Sequence, residues 1–197
     1  DNAMPFPRFK GDHYEYATRM PMAIMWKGKI ASPGRRTNAL ISFIDLAPTL
    51  LEAAHVAEAN AGMQLIEGSS FFDVLHNKRQ VLLSSTGEDV SFVITGRERN
   101  ADFRAQHEGY PVRSIIRGSY SYIYNFKPHL WPNGGKTKQK GNMPHGEVSR
   151  SPTKDVTAAQ PSLSNEFLLI YGKRPTEELF NVNADPESKL NLAENAT

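Results

Sequence analysis

The chain contains no cysteine among its 197 residues, which excludes disulfide bonds and thiolate metal sites within it. It has no apolar run approaching the roughly 20 residues that a membrane-spanning helix needs. Its charge is almost balanced, since 23 basic and 21 acidic residues leave a formal net charge of +2. A nearly neutral chain has no net field to attract polyanions, so we expect neither nucleic acid nor a membrane as a partner.

The opening segment, DNAMPFPRFKGDHYEYATRMP, is the most informative part of the sequence. Asp1 and Asn2 supply hard oxygen donors, which Ca²⁺ and Mg²⁺ prefer. The Pro-Phe-Pro run at 5–7 favours a stiff turn that holds Lys10 near them. An ammonium group is useful beside a divalent cation only when an anion, commonly a phosphate or sulfate, separates the two. The segment therefore predicts a site for an anionic ester at a metal, with an ordinary turn and a solvated lysine as the simpler alternative.

This segment resembles the part of type I sulfatases that supplies two metal ligands and an active-site lysine, and the heparan N-sulfatase (N-sulfoglucosamine sulfohydrolase) branch is the nearest group. Further matching motifs follow in the same order along nearly the whole chain. They are S-F-I-D-L-A-P-T-L-L at 42–51, G-R-E-R at 96–99, G-Y-P-V-R at 109–113, N-F-K-P at 125–128 and E-E-L-F-N-V-N-A-D-P at 177–186. Each motif alone is weak, but their collinear order supports the resemblance.

The resemblance implies hydrolysis of sulfate esters or sulfamates of a sulfated saccharide. Asp1 and Asn2 would bind Ca²⁺, and Lys10 would hold a sulfate oxygen or the bridging leaving atom. Such enzymes use a formylglycine nucleophile made from a C/S-x-P-x-R motif, and that motif is not in this chain. We therefore expect the C-terminal portion of an enzyme, inactive alone, whose partner is the missing N-terminal part. The family also implies an exported, periplasmic or lysosomal-type compartment.

A second candidate region lies between residues 97 and 113. With Gly96 directly before it and Gly109 and Pro111 within it, the region carries charged and titratable side chains, among them Arg97, Glu98, His107, Glu108 and Arg113. Such groups suit the hydroxyls, carboxylates or sulfates of a glycan, and a histidine among them can protonate a leaving group. The sequence predicts substrate binding here, although a solvated loop with ion pairs fits the same residues equally well.

Several local elements are indicated by pattern. Met20–Trp26 predicts a buried strand, and a helix follows in which Asp45 is the predicted cap and Pro48 lies in the first turn. Glu15 and Arg19 lie four residues apart, a spacing that predicts a structural ion pair.

Val112–Phe126 gives the clearest hairpin, with its turn at 117–119. Tyr120, Tyr122 and Tyr124 share one face of its second strand, where packing against a helix is a more common role than binding a sugar. Residues 127–161 have no periodic apolar pattern and predict a long excursion. A helix is predicted at Phe167–Tyr171.

Together these elements predict an α/β fold. Residues 1–80 would form the tail of an alkaline-phosphatase-like α/β core, and residues 81–197 a small antiparallel sheet with a helix. Two other functions stay open at this point. One is a phosphodiesterase or phosphonate hydrolase of the same superfamily, which would favour Zn²⁺ or Mn²⁺ and more histidine ligands. The other is a non-catalytic carbohydrate-binding or structural module.

Overall fold

The computed structural model describes residues 4–104, 107–135 and 145–193. The chain divides into two compact units, one comprising Asp1–Pro21 with Ile94–Thr197 and the other Met22–Val93. Helices and antiparallel strands are mixed, which confirms the predicted α/β class. The predicted domain boundary near residue 80 stays a prediction.

The first unit is built on a sheet of four strands: β3 (Phe92–Arg97), β4 (Val112–Arg117), β5 (Tyr120–Asn125) and β6 (Glu177–Asn181). They lie side by side in the order β3-β4-β5-β6. Strands β4 and β5 pair antiparallel from Val112↔Asn125 to Arg117↔Tyr120, which confirms the predicted hairpin. Strand β6 pairs antiparallel to β5 on the other side.

One face of this sheet is buried and carries polar as well as apolar side chains. Ser114, Ile123 and Glu178 lie side by side across β4, β5 and β6 and are all buried. Tyr14, from the opening segment, packs into the apolar cluster on this face and meets the Phe180 ring edge-on at 5.8 Å between centroids. The opening segment is therefore fixed against the sheet.

The opposite face of β5 carries the three predicted tyrosines, because side chains alternate along a strand. Tyr120 is 50% exposed, and Tyr122 and Tyr124 are partly exposed. Tyr124 packs edge-on against Phe126, with ring centroids 4.8 Å apart. The tyrosines thus form a half-exposed aromatic strip.

Three short helices complete the described part of this unit: α1 (Glu15–Thr18), and further along the chain α4 (Pro152–Ala158) and α5 (Asn165–Tyr171). The prediction of an irregular excursion over 127–161 was wrong for α4. Ser151 caps this helix by accepting a hydrogen bond from the Lys154 amide, and Pro152 suits its first turn. Helix α5 confirms the prediction at 167–171 and is capped by Ser164.

The second unit contains α2 (Leu46–Ala53), α3 (Phe72–Leu75) and an antiparallel pair, β1 (Leu82–Leu83) with β2 (Asp89–Val90). Short 3₁₀ turns lie at Phe43–Asp45 and Glu58–Asn60. Its core is formed by Phe71, Val74 and Leu82.

Two predictions for this unit need correction. Asp45 does not cap α2 with its side chain. Its carboxylate instead accepts the amides of Ser42 (2.7 Å) and Ser69 (2.8 Å), so it joins two turns. Met20–Trp26 is not a strand, and Met25 is 92% exposed. A strand needs a hydrogen-bonded neighbour, and none of the strands in the described ranges pairs with this segment.

No helix in the described part of the chain is long and apolar enough to cross a membrane.

Candidate functional site

Lys10 lies in a loop that consecutive backbone hydrogen bonds fold into turns. The Met4 carbonyl accepts from the amides of Phe6 (2.7 Å) and Lys10 (3.3 Å). Gly11 follows with φ +78°, a left-handed conformation that favours glycine. The Lys10 side chain is exposed. Asp1 and Asn2 lie outside the described residues, so their predicted role as metal ligands stays a prediction.

Arg8 ties this loop to distant parts of the first unit. Its guanidinium lies 3.6 Å above the centre of the Tyr14 ring, close enough for a cation–π contact. It also donates hydrogen bonds to the carbonyls of Leu169 (3.0 Å) and Ser188 (2.6 Å). Charged donors make stronger hydrogen bonds than neutral ones, so these contacts restrict the loop that carries Lys10.

A buried carboxylate holds the other side of Tyr14. The Tyr14 hydroxyl donates to Glu178 Oε1 at 3.0 Å, and Asn125 Nδ2 donates to Glu178 Oε2 at 2.9 Å. Tyr110 donates in turn to Asn125 Oδ1 at 3.3 Å. Burial raises the pKa of Tyr14 well above its ordinary value and that of Tyr110 to about 12, so both phenols stay protonated donors at neutral pH.

Asp12 and His13 lie beside this network. Burial disfavours the charge of Asp12, but the guanidinium groups of Arg97 and Arg174 outweigh it, and the pKa of Asp12 is lowered. Burial first, and then the charge of Arg97, lower the pKa of His13 to about 4. At neutral pH the pair is therefore a carboxylate and a neutral imidazole.

These side chains surround a small cavity within the first unit. Its volume of about 10 Å³ is close to the minimum that holds one ordered water molecule, so a whole sugar ring does not fit inside. The lining combines the opening loop with all four strands of the large sheet and their connections: Asp12, His13, Tyr14, Arg97, Tyr110, Val112, Ile123, Asn125, Pro132, Arg174 and Glu178.

Of the residues predicted from sequence to bind substrate, only Arg97 lines this cavity. Glu98 and Arg113 pair with each other on the surface, at 2.5 Å between Oε1 and a guanidinium nitrogen. Glu108 pairs with Lys127 at 3.2 Å.

His107 is exposed, and its described contacts are with Asp102 and Arg99. Its Nδ1 is 2.7 Å from Asp102 Oδ1, and its carbonyl accepts a hydrogen bond from Arg99. Arg113 also donates to the Arg97 carbonyl at 3.3 Å, so Arg97, Glu98 and Arg113 contact one another, whereas Glu108 and His107 each pair with a different residue. Only Arg97 of the predicted binding residues lines the cavity. Their role in substrate binding stays a prediction.

The opening segment also contains the predicted ion pair of Glu15 and Arg19, which is confirmed at 3.0 Å. As metal ligands, Asp1 and Asn2 offer the oxygen donors that Ca²⁺ accepts, so the donor set fits that ion in kind. Among residues 4–104, 107–135 and 145–193, no group of three histidine or acidic side chains is placed to hold a metal.

The buried polar cluster was not predicted from sequence. Asp12 and His13 form one half of it and Arg174 and Glu178 the other, and the two halves lie more than 160 positions apart along the chain. The one local signal was the pair of titratable residues Asp12-His13, directly before Tyr14, which is buried against the sheet. Without knowledge of the strands that pack on it, such a pair is equally typical of an exposed loop.

The chain is similar to a sulfatase over nearly its whole length. It is 26% identical over 199 aligned positions to an "Ulvan-active sulfatase" of Formosa agariphila, and the match covers 99% of this chain and 28% of that protein. The chain therefore spans less than a third of the curated relative that it matches. No known family profile matches the chain.

Solved structures with a similar backbone include a "2-O GAG sulfatase", with TM-score 0.40 and 17% identity over 76% of this chain and 19% of that one. Another is a protein in complex with its substrate D-glucosamine-2-N,6-O-disulfate, with TM-score 0.38 and 17% identity over 77% of this chain and 20% of that one.

Proposed function

We propose that this chain is part of a sulfatase that hydrolyses sulfate esters or sulfamates of a sulfated saccharide. The observation that carries the proposal is the similarity to a sulfatase across 99% of the chain. The D-N-x-M-P-F-P-R-x-K-G segment supports it further, because it contains the residue types that bind a hard cation and an anionic ester. An exported, periplasmic or lysosomal-type compartment belongs to the same proposal.

In this proposal Lys10 contacts a sulfate oxygen or the bridging atom of the leaving group. Its role is electrostatic, because negative charge collects on these atoms as the S–O or S–N bond breaks. The contacts of Arg8 with Tyr14 and with two carbonyls support it by restricting the loop on which Lys10 lies. An exposed ammonium on a restrained loop is available to a ligand without a large ordering cost.

Asp1 and Asn2 would hold Ca²⁺, which when bound supplies fixed positive charge beside the sulfate group. The formylglycine nucleophile belongs to polypeptide outside this sequence, because the chain has no cysteine and no Ser-x-Pro-x-Arg motif. The calcium ligands and the formylglycine both follow from the resemblance to sulfatases, and the experiment below tests them together with the proposed activity.

The test measures sulfate release by the natural protein that carries this sequence. Ulvan is a suitable first substrate, since the similar sulfatase is named for it, and D-glucosamine-2-N,6-O-disulfate offers both an N-sulfate and an O-sulfate on one sugar. We expect inorganic sulfate to be released from a sulfated saccharide, and release to fall when a chelator removes Ca²⁺. Sulfate release that is absent from a panel of N- and O-sulfated saccharides would contradict the proposal.

A second candidate is saccharide binding without catalysis. It is favoured by the half-exposed strip of Tyr120, Tyr122 and Tyr124 on β5, because aromatic faces pack well against sugar rings. Saccharide binding by the natural protein without any sulfate release would support this candidate.

A further inference from the structure

The buried ring of His13 has one nitrogen without a partner. His13 is 5% exposed, and no hydrogen bond reaches its Nε2 from the residues that the structure describes. Leaving a buried polar group unpaired costs about 1–3 kcal/mol, so native proteins rarely keep one without a ligand or an ordered water. Since His13 lines the small cavity, this nitrogen indicates that the cavity has an occupant.

The other ring nitrogen determines what Nε2 offers. His13 Nδ1 lies 3.0 Å from Thr95 Oγ1, which lies 2.7 Å from Ser114 Oγ. If the Ser114 hydroxyl donates to Thr95 and the Thr95 hydroxyl donates to Nδ1, both hydroxyl hydrogens have an acceptor within this chain of three groups. If instead Nδ1–H donates to Thr95 and Thr95 donates to Ser114, the Ser114 hydrogen needs a further acceptor. The first arrangement leaves a neutral imidazole whose Nε2–H is a donor.

Arg97 adds a second donor group to the same cavity. Its Nε is buried and has no partner in ranges 4–104, 107–135 and 145–193. The surrounding charges also favour an anion, because the guanidinium groups near the cavity outnumber the carboxylates. The guanidinium groups are those of Arg8, Arg97 and Arg174, and the carboxylates are those of Asp12 and Glu178. An occupant with a negative charge would balance the excess positive charge.

We propose that His13 Nε2–H and the Arg97 guanidinium together bind one oxygen of a sulfate group. The size of the cavity explains why one oxygen enters while the rest of the group stays at its mouth. This inference rests on the proposed function, and it adds His13 to the binding residues and selects Arg97 from the charged set of 97–113. The sulfate group belongs either to a saccharide substrate or to the free inorganic product.

The experiment follows the His13 ring nitrogens by NMR in the ¹⁵N-histidine-labelled protein. Two titrations, with sodium sulfate and with D-glucosamine-2-N,6-O-disulfate, distinguish the two sources, and sodium chloride is the control for general anion effects. We expect a saturable shift of Nε2 with at least one sulfate ligand. Binding should weaken about tenfold in Arg97→Gln, as expected for loss of one charged hydrogen-bond donor.

Arg117→Gln is the matched control, because Arg117 is an exposed arginine at the end of β4 and the charge change is the same. Its affinity should stay within about twofold of the parent. Arg97→Lys keeps the charge but loses the planar fork, so it should also weaken binding and serves if Arg97→Gln fails to fold. Equal weakening by the Arg97 and Arg117 variants, or no saturable shift with either sulfate ligand, would overturn the inference.

The proposed function can fail separately. Saturable sulfate binding at His13 without any hydrolysis would support the site and contradict the sulfatase proposal. Sulfate release by a protein whose His13 resonance does not respond to either sulfate ligand would support the sulfatase proposal and contradict the site.

Discussion

The Tyr14 hydroxyl donates a hydrogen bond of 3.0 Å to Glu178, a residue 164 positions further along the chain. Both side chains are buried, with exposed fractions of 4% and 5%. The contact joins the loop that carries Lys10 to the edge strand β6. It therefore links the geometry of the candidate site to the integrity of the sheet.

Replacing Tyr14 with phenylalanine tests this link. Tyr14→Phe keeps the ring beneath Arg8 but removes the donor to a buried carboxylate, so the free energy of unfolding should fall by about 1.5–3 kcal/mol. Tyr120→Phe, at a half-exposed position of β5, is the matched control and should change stability by less than about 0.5 kcal/mol. Urea denaturation at pH 7 measures both, and equal effects of the two changes would contradict a structural role for the Tyr14 hydroxyl.

His13 predicts a dependence of stability on pH. Its pKa is about 4 in the folded chain against an ordinary value of 6.5, so folding favours the neutral ring. The stabilisation is present above pH 6.5 and is lost as the pH falls towards 4, because protons then bind preferentially to the unfolded state. The charged groups facing the ring are Arg97, Asp12 and Arg113.

Between pH 7 and 4.5 the parent should lose about 2–3 kcal/mol of unfolding free energy more than His13→Gln, which does not titrate. The lowered pKa of Asp12 acts in the same sense, because its carboxyl group also binds a proton more readily in the unfolded chain, but only near and below its ordinary pKa of 3.8, outside this window. Parallel stability curves for the two proteins from pH 7 to 4.5 would show that His13 is not buried as described.

We expect an alanine at Gly11 to destabilise the protein more than an alanine at another glycine of positive φ. A Cβ at Gly11 would lie 2.4 Å from Asn100 Cγ, and the Asn100 side chain is itself held by the Glu147 carbonyl at 2.7 Å. Gly118 also has positive φ, but an added Cβ there meets nothing within 4 Å.

Gly118→Ala should therefore cost about 1 kcal/mol for the left-handed conformation alone. Gly11→Ala should cost about 1–2 kcal/mol more, because a restrained neighbour must move. Chemical denaturation of the two variants measures the difference. A Gly11→Ala protein as stable as Gly118→Ala would mean that Asn100 moves freely.

Lys10 is expected to matter for turnover and not for folding. Because its side chain is exposed, Lys10→Ala should unfold within about 0.5 kcal/mol of the parent. Loss of a charge that stabilises the transition state should lower sulfate release by the natural protein by about 10²-fold or more. Lys27→Ala, which removes another exposed lysine, should keep full activity. Unchanged turnover in Lys10→Ala would remove Lys10 from the reaction.

Much of the fold was predictable because it depends on local pattern. The hairpin of β4 and β5 follows from its alternating side chains and Gly118, and α5 follows from its apolar spacing with a serine cap. The prediction of a strand at Met20–Trp26 was wrong because an apolar run indicates burial but does not provide a partner strand. Helix α4 was missed because its seven residues contain few apolar positions, and its Ser-Pro start was the only clear signal.

The candidate site was less predictable than the fold. Arg97 was predicted from charge near glycines, but a sequence gives no means of distinguishing it from Arg113, which pairs with Glu98 on the surface. The difference between the two arginines depends on strand register, which directs the Arg97 side chain towards the cavity and leaves Arg113 and Glu98 on the surface. His13 and Glu178 become neighbours only after residues more than 160 positions apart have been brought together.

The Glu147 carboxylate accepts the amides of Asn100 and Ala101, at 2.9 and 2.7 Å. Twelve positions earlier, the carbonyl of Gly135 accepts the amide of His145 at 2.9 Å. These bonds hold Gly135 beside His145 and hold Glu147 to the residues that follow β3. Because each bond is made by residues outside 136–144, changes of sequence within that range should leave Arg97 and the sheet undisturbed.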